Sequence, residues 1–142
     1  MATSMLRQHI IRIRVRYDEC DPMGLVHHSR YLQYFEIGRT ELLRASGGNY
    51  RTMEEAGQLV VVARVDCRYR RPARYDDLLT LTTKIVEVTV GKILHEYRLH
   101  RDDELLVQAE VTLAVIDREG RIQRVPEALR LAAQAQGPEK SS

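Results

Sequence analysis

The chain carries one strongly helical stretch, and that stretch limits what the rest can be. Tyr31, Phe35, Gly38, Leu42 and Ala45 recur at i, i+4, i+7, i+11 and i+14, and Leu32, Tyr34 and Leu43 widen the apolar stripe. Ser29 stands where a helix N-cap belongs, and Gly47–Gly48 stands where the helix should stop. A lone helix with this many large apolar residues has to be covered. Gly38, having no Cβ, allows its cover to come close.

The cover must come from strands, because the remaining chain reads mostly with a period of two. Ile11, Ile13, Val15 and Tyr17 alternate with Arg12, Arg14 and Arg16, which gives a strand with one apolar face. Further strands are expected over 59–69, 78–88, 93–100 and 105–116, with Leu105, Val107, Ala109, Val111, Leu113 and Val115 on one face of the last. A short strand follows at 121–125, a helical turn is expected at 51–56, and Pro126 opens a terminal helix, PEALRLAAQ. Short connections between successive strands predict a meander with antiparallel pairing. The expected fold is therefore α+β: one antiparallel sheet wrapped around one long central helix. We read residues 1–8 as a lead-in, 9–134 as a single domain and 135–142 as a flexible tail.

Composition excludes several function classes. Twenty-two basic and 20 acidic residues nearly cancel to +2, so no nucleic-acid partner is expected. The arginines at 12, 14 and 16 and at 68, 70, 71 and 74 read first as a solvated or subunit-facing sheet surface, with an anionic ligand as the minor reading. Two cysteines without a C-x-x-C or His/Cys cluster give neither a disulfide framework nor a metal site, and no cofactor is expected. The first residues, MATSMLRQH, lack the apolar core of a signal peptide, and no run approaches the length of a membrane span. A cytoplasmic location is the expectation.

The chemistry concentrates in Tyr17-Asp18-Glu19-Cys20-Asp21-Pro22-Met23-Gly24-Leu25-Val26-His27-His28-Ser29-Arg30-Tyr31. This run puts carboxylates in a turn just ahead of a long helix, whose first N–H groups are unpaired and partly positive. Such donors can stabilise an oxyanion while a carboxylate attacks a carbonyl or activates water. Gly24 permits positive φ or a close backbone approach. The same residues also suit a simple cap, so the physics alone leaves both readings open.

The stretch YDECDPMGLVHHSRYLQYFE resembles the signature of the 4-hydroxybenzoyl-CoA thioesterase family, the hotdog-fold acyl-CoA thioesterases. Tyr69-Arg70-Arg71-Pro72-Ala73-Arg74-Tyr75-Asp76-Asp77-Leu78 and the closing Asp117, Gly120 and Pro126 follow in the family's order, so the resemblance covers about residues 9–130. It implies a hotdog fold, a homodimer or homotetramer with its site at the subunit interface, and an acyl-CoA or acyl-carrier-protein substrate. It implies that Asp21 is catalytic and that the backbone N–H of His28 polarises the thioester carbonyl. Gly24, Val26, His27 and Tyr31 then line the substrate site, and Arg70, Arg71 and Arg74 are candidates to meet CoA phosphates. Glu19 and Cys20 stand where the family more often has Asp and Thr, and His27 where it often has an aromatic residue. These departures bear on the acyl group accepted.

The same residues admit other readings. Cys20 as nucleophile is disfavoured, because Glu19 and Asp21 beside it oppose a thiolate. Glu36 reads as a structural partner on the helix, and Asp76 and Asp77 as turn acids. A hotdog dehydratase or hydratase would recruit His27 or His28 as base. A non-catalytic acyl-CoA-binding module would be expected to lack Asp21. Fold alone would not decide among these.

Overall fold

The computed structural model describes residues 6–127 together with 129 and 130. Its elements are β1 (Gln8–Arg14), α1 (Arg30–Ala45), α2 (Tyr50–Glu55), β2 (Leu59–Tyr69), β3 (Leu78–Val88), β4 (Ile93–Arg101), β5 (Glu104–Ile116) and β6 (Ile122–Gln123). All pairings are antiparallel, and the strand order is β1-β3-β4-β5-β2, with β6 beside β5. One face of this sheet packs on α1, which is the expected hotdog fold.

At Gly38 the helix comes close to β3. A Cβ placed on Gly38 would lie 2.4 Å from Thr83 Oγ1 and 2.7 Å from Leu81 Cδ2, so only glycine fits without displacement. Tyr31, Tyr34, Phe35, Leu42 and Leu43 are buried around it. Ala45, at the helix end, and Leu32, on the side facing β2, are exposed, so the covered stripe is narrower than the periodicity predicts. Ser29 occupies the N-cap position, but its side chain does not cap the helix and its hydroxyl bonds His27 instead. Gly47, with φ of +91°, follows the C-terminal turn as expected. Asn49, not singled out from the sequence, caps α2 by accepting from the Thr52 N–H.

The predicted meander holds only for β3, β4 and β5. Strand β2 does not pair with β3; it lies at the far edge, against β5. Residues 70–77 carry the chain from that edge back to β3, and their backbone is satisfied on the way: the N–H groups of Arg70 and Arg71 donate to Leu106 O. Eight extended residues reach about 26 Å, enough to cross the two intervening strands at about 4.8 Å each. Two local departures have a similar cause. The register slips between Leu99 and His100, so Leu106 rather than Leu105 is fully buried. Strand β1 ends at Arg14, and Tyr17 enters a short 3-10 turn (Tyr17–Glu19) where it is exposed.

The Leu129 and Arg130 N–H groups donate to Pro126 O. Residues 131–134 of the expected terminal helix, residues 1–5 of the lead-in and the 135–142 tail lie outside the described residues. No helix among the described residues is long and apolar enough to cross a membrane.

Candidate active site

The loop between β1 and α1 is a small hydrogen-bonded hairpin. Cys20 pairs with Val26, the His27 N–H donates to Glu19 O, and the Asp21 N–H donates to Leu25 O. At its tip Asp21 Oδ1 accepts from the N–H groups of Met23 (2.9 Å) and Leu25 (3.2 Å), which is an Asx turn. Gly24 adopts φ of +80°, as the turn requires, and its N–H donates to Asp21 O. The turn thus fixes the carboxylate through one oxygen. Among the described residues no hydrogen bond is made to the other, Oδ2.

The hairpin is clasped by the segment that crosses from β2 to β3. The Val26 N–H donates to Ala73 O, the Tyr75 N–H donates to Gly24 O, and Leu25 pairs with Arg74. Three tyrosine hydroxyls add further ties. Tyr34 donates to Glu19 Oε1 (2.9 Å), which also accepts the Arg16 N–H; Tyr31 accepts the Ala73 N–H (3.0 Å); Tyr69 donates to His28 O (3.3 Å). Burial, reinforced by Glu19, holds the Tyr34 hydroxyl far above the usual phenol range, so it stays a donor. Burial and Cys67 together push Tyr69 up to about 12. The sequence reading gave none of the three a tethering role. The available signal was the count of seven tyrosines against a single phenylalanine, since most buried phenols take a polar partner.

These ties leave one donor over. From Met23 to Arg30, every backbone N–H has an acceptor except that of His28, among the described residues. It lies two residues before the first turn of α1, where the helix dipole presents positive charge. The His28 ring is exposed and lies tilted, with centroids 4.2 Å apart, against that of His27, whose Nδ1 bonds Ser29 Oγ.

The other predicted residues are distributed unevenly. Val26 and Tyr31 are in the core, 6% and 3% exposed, behind the loop rather than at its surface. Arg70, Arg71 and Arg74 are exposed; Arg71 pairs with Glu104, whereas Arg101 pairs with Asp77 and Glu104 beneath the crossing segment. Asp76 adopts φ of +68°, and Asp77 Oδ2 accepts the Arg74 N–H, so both act as turn acids. Burial, helped by Glu19 and Asp21, pushes the Cys20 thiol up, which opposes a thiolate nucleophile. Glu36 is exposed on α1. No cluster of three or more metal-binding side chains occurs among the described residues.

Two cavities adjoin α1. A groove of about 770 Å³ runs between β1 and the helix and includes Arg12, Arg16, Glu19 and Tyr34, but neither Asp21 nor His28. A smaller pocket of about 220 Å³ lies on the opposite side, between α1 and the β2–β5 part of the sheet.

Known proteins resemble this chain in sequence and fold. The Haemophilus influenzae protein named acyl-CoA thioesterase YbgC is 41% identical over 106 residues, covering 74% of this chain and 78% of the relative. The Escherichia coli O6:H1 acyl-CoA thioester hydrolase YbgC is 30% identical over 106 residues, covering 74% and 79%. The crystal structure of protein TT1821 from Thermus thermophilus superposes with a TM-score of 0.85 at 30% identity, covering 93% of this chain and 99% of that one. The family model of the thioesterase-like superfamily matches residues 15–133, and with that match and these relatives the chain belongs to this superfamily.

Proposed function

We propose that this protein hydrolyses acyl-CoA thioesters, with Asp21 as the reacting carboxylate and the His28 N–H as the donor that polarises the carbonyl. The observation that carries the reading is the His28 amide, the one N–H between Met23 and Arg30 without an acceptor among the described residues. Such a donor strengthens its bond as the carbonyl oxygen gains charge in the tetrahedral intermediate. The thioester C–S bond breaks, water supplies the hydroxyl of the free acid, and its remaining proton goes to the thiol. Asp21, held by Oδ1 with Oδ2 open, suits either attack on the carbonyl carbon or removal of a proton from water. The names borne by the relatives support the acyl-CoA substrate.

A second chain completes the proposed enzyme. Strand β2 is a sheet edge, and Val62, Val65 and Tyr69 along it are 48%, 40% and 49% exposed, which suits pairing of two copies into a homodimer or homotetramer. Residues 9–134 then act as one thioesterase domain, and the free thiols of Cys20 and Cys67 suit a reducing cytoplasm.

The test is release of free thiol from acetyl-, hexanoyl-, palmitoyl- and 4-hydroxybenzoyl-CoA by wild type and Asp21→Asn. The expected result is turnover of at least one member that falls about 10²–10⁴-fold in the variant. Undiminished turnover in folded Asp21→Asn would remove Asp21 from the mechanism.

A further inference from the structure

The small pocket beside α1 ends against an unusual patch of sheet. Its walls include Leu32, Phe35, Glu36 and Arg39 from the helix and Val65 and Val111 from the strands. The register runs Ile85–His95–Val111–Val65 across one row and Thr83–Tyr97–Ala109–Cys67 across the next. Cross-strand partners share a face at about 5 Å, so His95 lies beside Val111, one strand beyond the pocket wall. Tyr97 lies in the adjoining row, and its ring stacks on Phe35 of the pocket wall at 4.6 Å.

This patch is polar where an acyl-binding sheet could have been apolar. Thr83, His95 and Tyr97 are only 1%, 2% and 0% exposed, yet Thr83 Oγ1 and His95 Nδ1 have no hydrogen-bond partner among the described residues. Burial keeps His95 neutral, with its pKa lowered to about 3, so its ring offers hydrogen bonding rather than charge. Arg39, half-buried on the pocket wall, supplies the charge, and its field is felt by both His95 and Tyr97. No carboxylate lies within ion-pair distance of Arg39 among the described residues. The unpartnered His95 Nδ1, beside a cation that meets the Tyr97 hydroxyl but no carboxylate, is what a ligand oxygen would satisfy.

The pocket also points the right way. Leu32, Phe35, Glu36 and Arg39 continue at i+4, i+7, i+8 and i+11 from His28, so they form one helix face. At a rise of 1.5 Å per residue, an acyl group whose carbonyl is held at His28 reaches Arg39 after roughly 16 Å or less.

We propose that the pocket selects acyl groups whose far end carries oxygen, as a hydroxyl or a carboxylate, and that Arg39, His95 and Tyr97 receive it. The proposal rests on the thioesterase reading above and goes beyond it by naming the substrate class. Its test compares kcat/KM for hexanoyl-, ω-hydroxyhexanoyl- and hexanedioyl-CoA, and for the corresponding decanoyl, ω-hydroxydecanoyl and decanedioyl thioesters. Wild type should favour the oxygen-terminated members at one of the two lengths by about tenfold or more. In Tyr97→Phe, which keeps the ring against Phe35, that preference should shrink. Arg39→Met should reduce the dicarboxylyl arm more than the hydroxyl arm. Wild-type turnover with no preference at either length would overturn the proposal alone, leaving the patch a hydration site. An equal loss on all substrates in Tyr97→Phe would also overturn it, as a merely structural effect. No thiol release from any member by folded protein would overturn the thioesterase reading and this proposal with it.

Discussion

The two ends of α1 treat polar groups in opposite ways. At the N-terminal end, residues 19–31 bind nearly every polar group they contain: Glu19 takes two donors, Asp21 Oδ1 takes two more, and Tyr31 and Tyr69 accept or donate across segments. Beneath the C-terminal half, Thr83 and His95 are buried with polar atoms that bond nothing among the described residues. The first region is pre-organised, so the one donor left without an acceptor between Met23 and Arg30 among the described residues, at His28, stands out. The second carries an uncompensated desolvation penalty, about 1–3 kcal/mol for each orphaned group. That cost is offset when a ligand or a water bonds these groups. Rigid placement at one end and unmet hydrogen-bonding capacity at the other are what a site gripping a long ligand at two points would show.

That contrast can be broken or sharpened by substitution. The largest stability effect expected is acidic and belongs to the buried end. His95 is neutral in the folded chain, with a pKa of about 3 against 6.5 unperturbed, so below pH 6.5 the unfolded state binds the extra proton. Stability therefore falls as pH drops from 6.5 towards 3, and His95 alone accounts for about 2 kcal/mol by pH 5. Urea unfolding of wild type and His95→Leu at pH 7 and pH 5 should show a smaller acid-side loss in the variant. An identical loss would mean that His95 is not buried neutral.

Next is Gly38, between the two regions. Gly38→Ala gains about 1 kcal/mol of helix propensity but forces its methyl into Thr83 Oγ1 and Leu81 Cδ2. A net destabilisation of about 1–2 kcal/mol is expected by thermal or urea unfolding. A neutral or stabilised variant would show that helix and sheet are further apart. The smallest effect is Tyr34→Phe, which removes one of the two donors to Glu19 and should cost about 1 kcal/mol. It should also speed amide exchange at His27, whose N–H donates to Glu19 O, and should leave amides near His95 unchanged.

Much of this was legible in the residues. The stripe from Tyr31 to Leu42 and the two-residue alternation were enough to predict one helix under one antiparallel sheet. The Asp21–Gly24 turn followed from its residue types. The strand order was not legible, because alternation shows which face is buried but not which neighbour a strand takes. Ala73, small enough to be fully buried beneath Tyr31, is what lets residues 70–77 cross the sheet, and no local pattern announces that. The slip at Leu105–Leu106 was hidden for the same reason, since both are leucines and either suits the core. Nor could the polar patch be foreseen: Thr83, His95 and Tyr97 alternate with neighbours as ordinary strand residues do, and only the register brings them together.

The central claim is that the His28 backbone N–H, and not its ring, acts on the thioester. It is tested most directly by comparing kcat for the best acyl-CoA substrate in His28→Ala and His28→Pro, with folding checked by thermal unfolding. Alanine keeps the N–H and removes the imidazole; proline removes the N–H at a position just ahead of the helix, where the ring is tolerated. The account predicts that His28→Ala retains most of the wild-type kcat, whereas His28→Pro loses about 10²–10³-fold. A folded His28→Pro enzyme with near wild-type kcat, or a His28→Ala enzyme as impaired as His28→Pro, would contradict it.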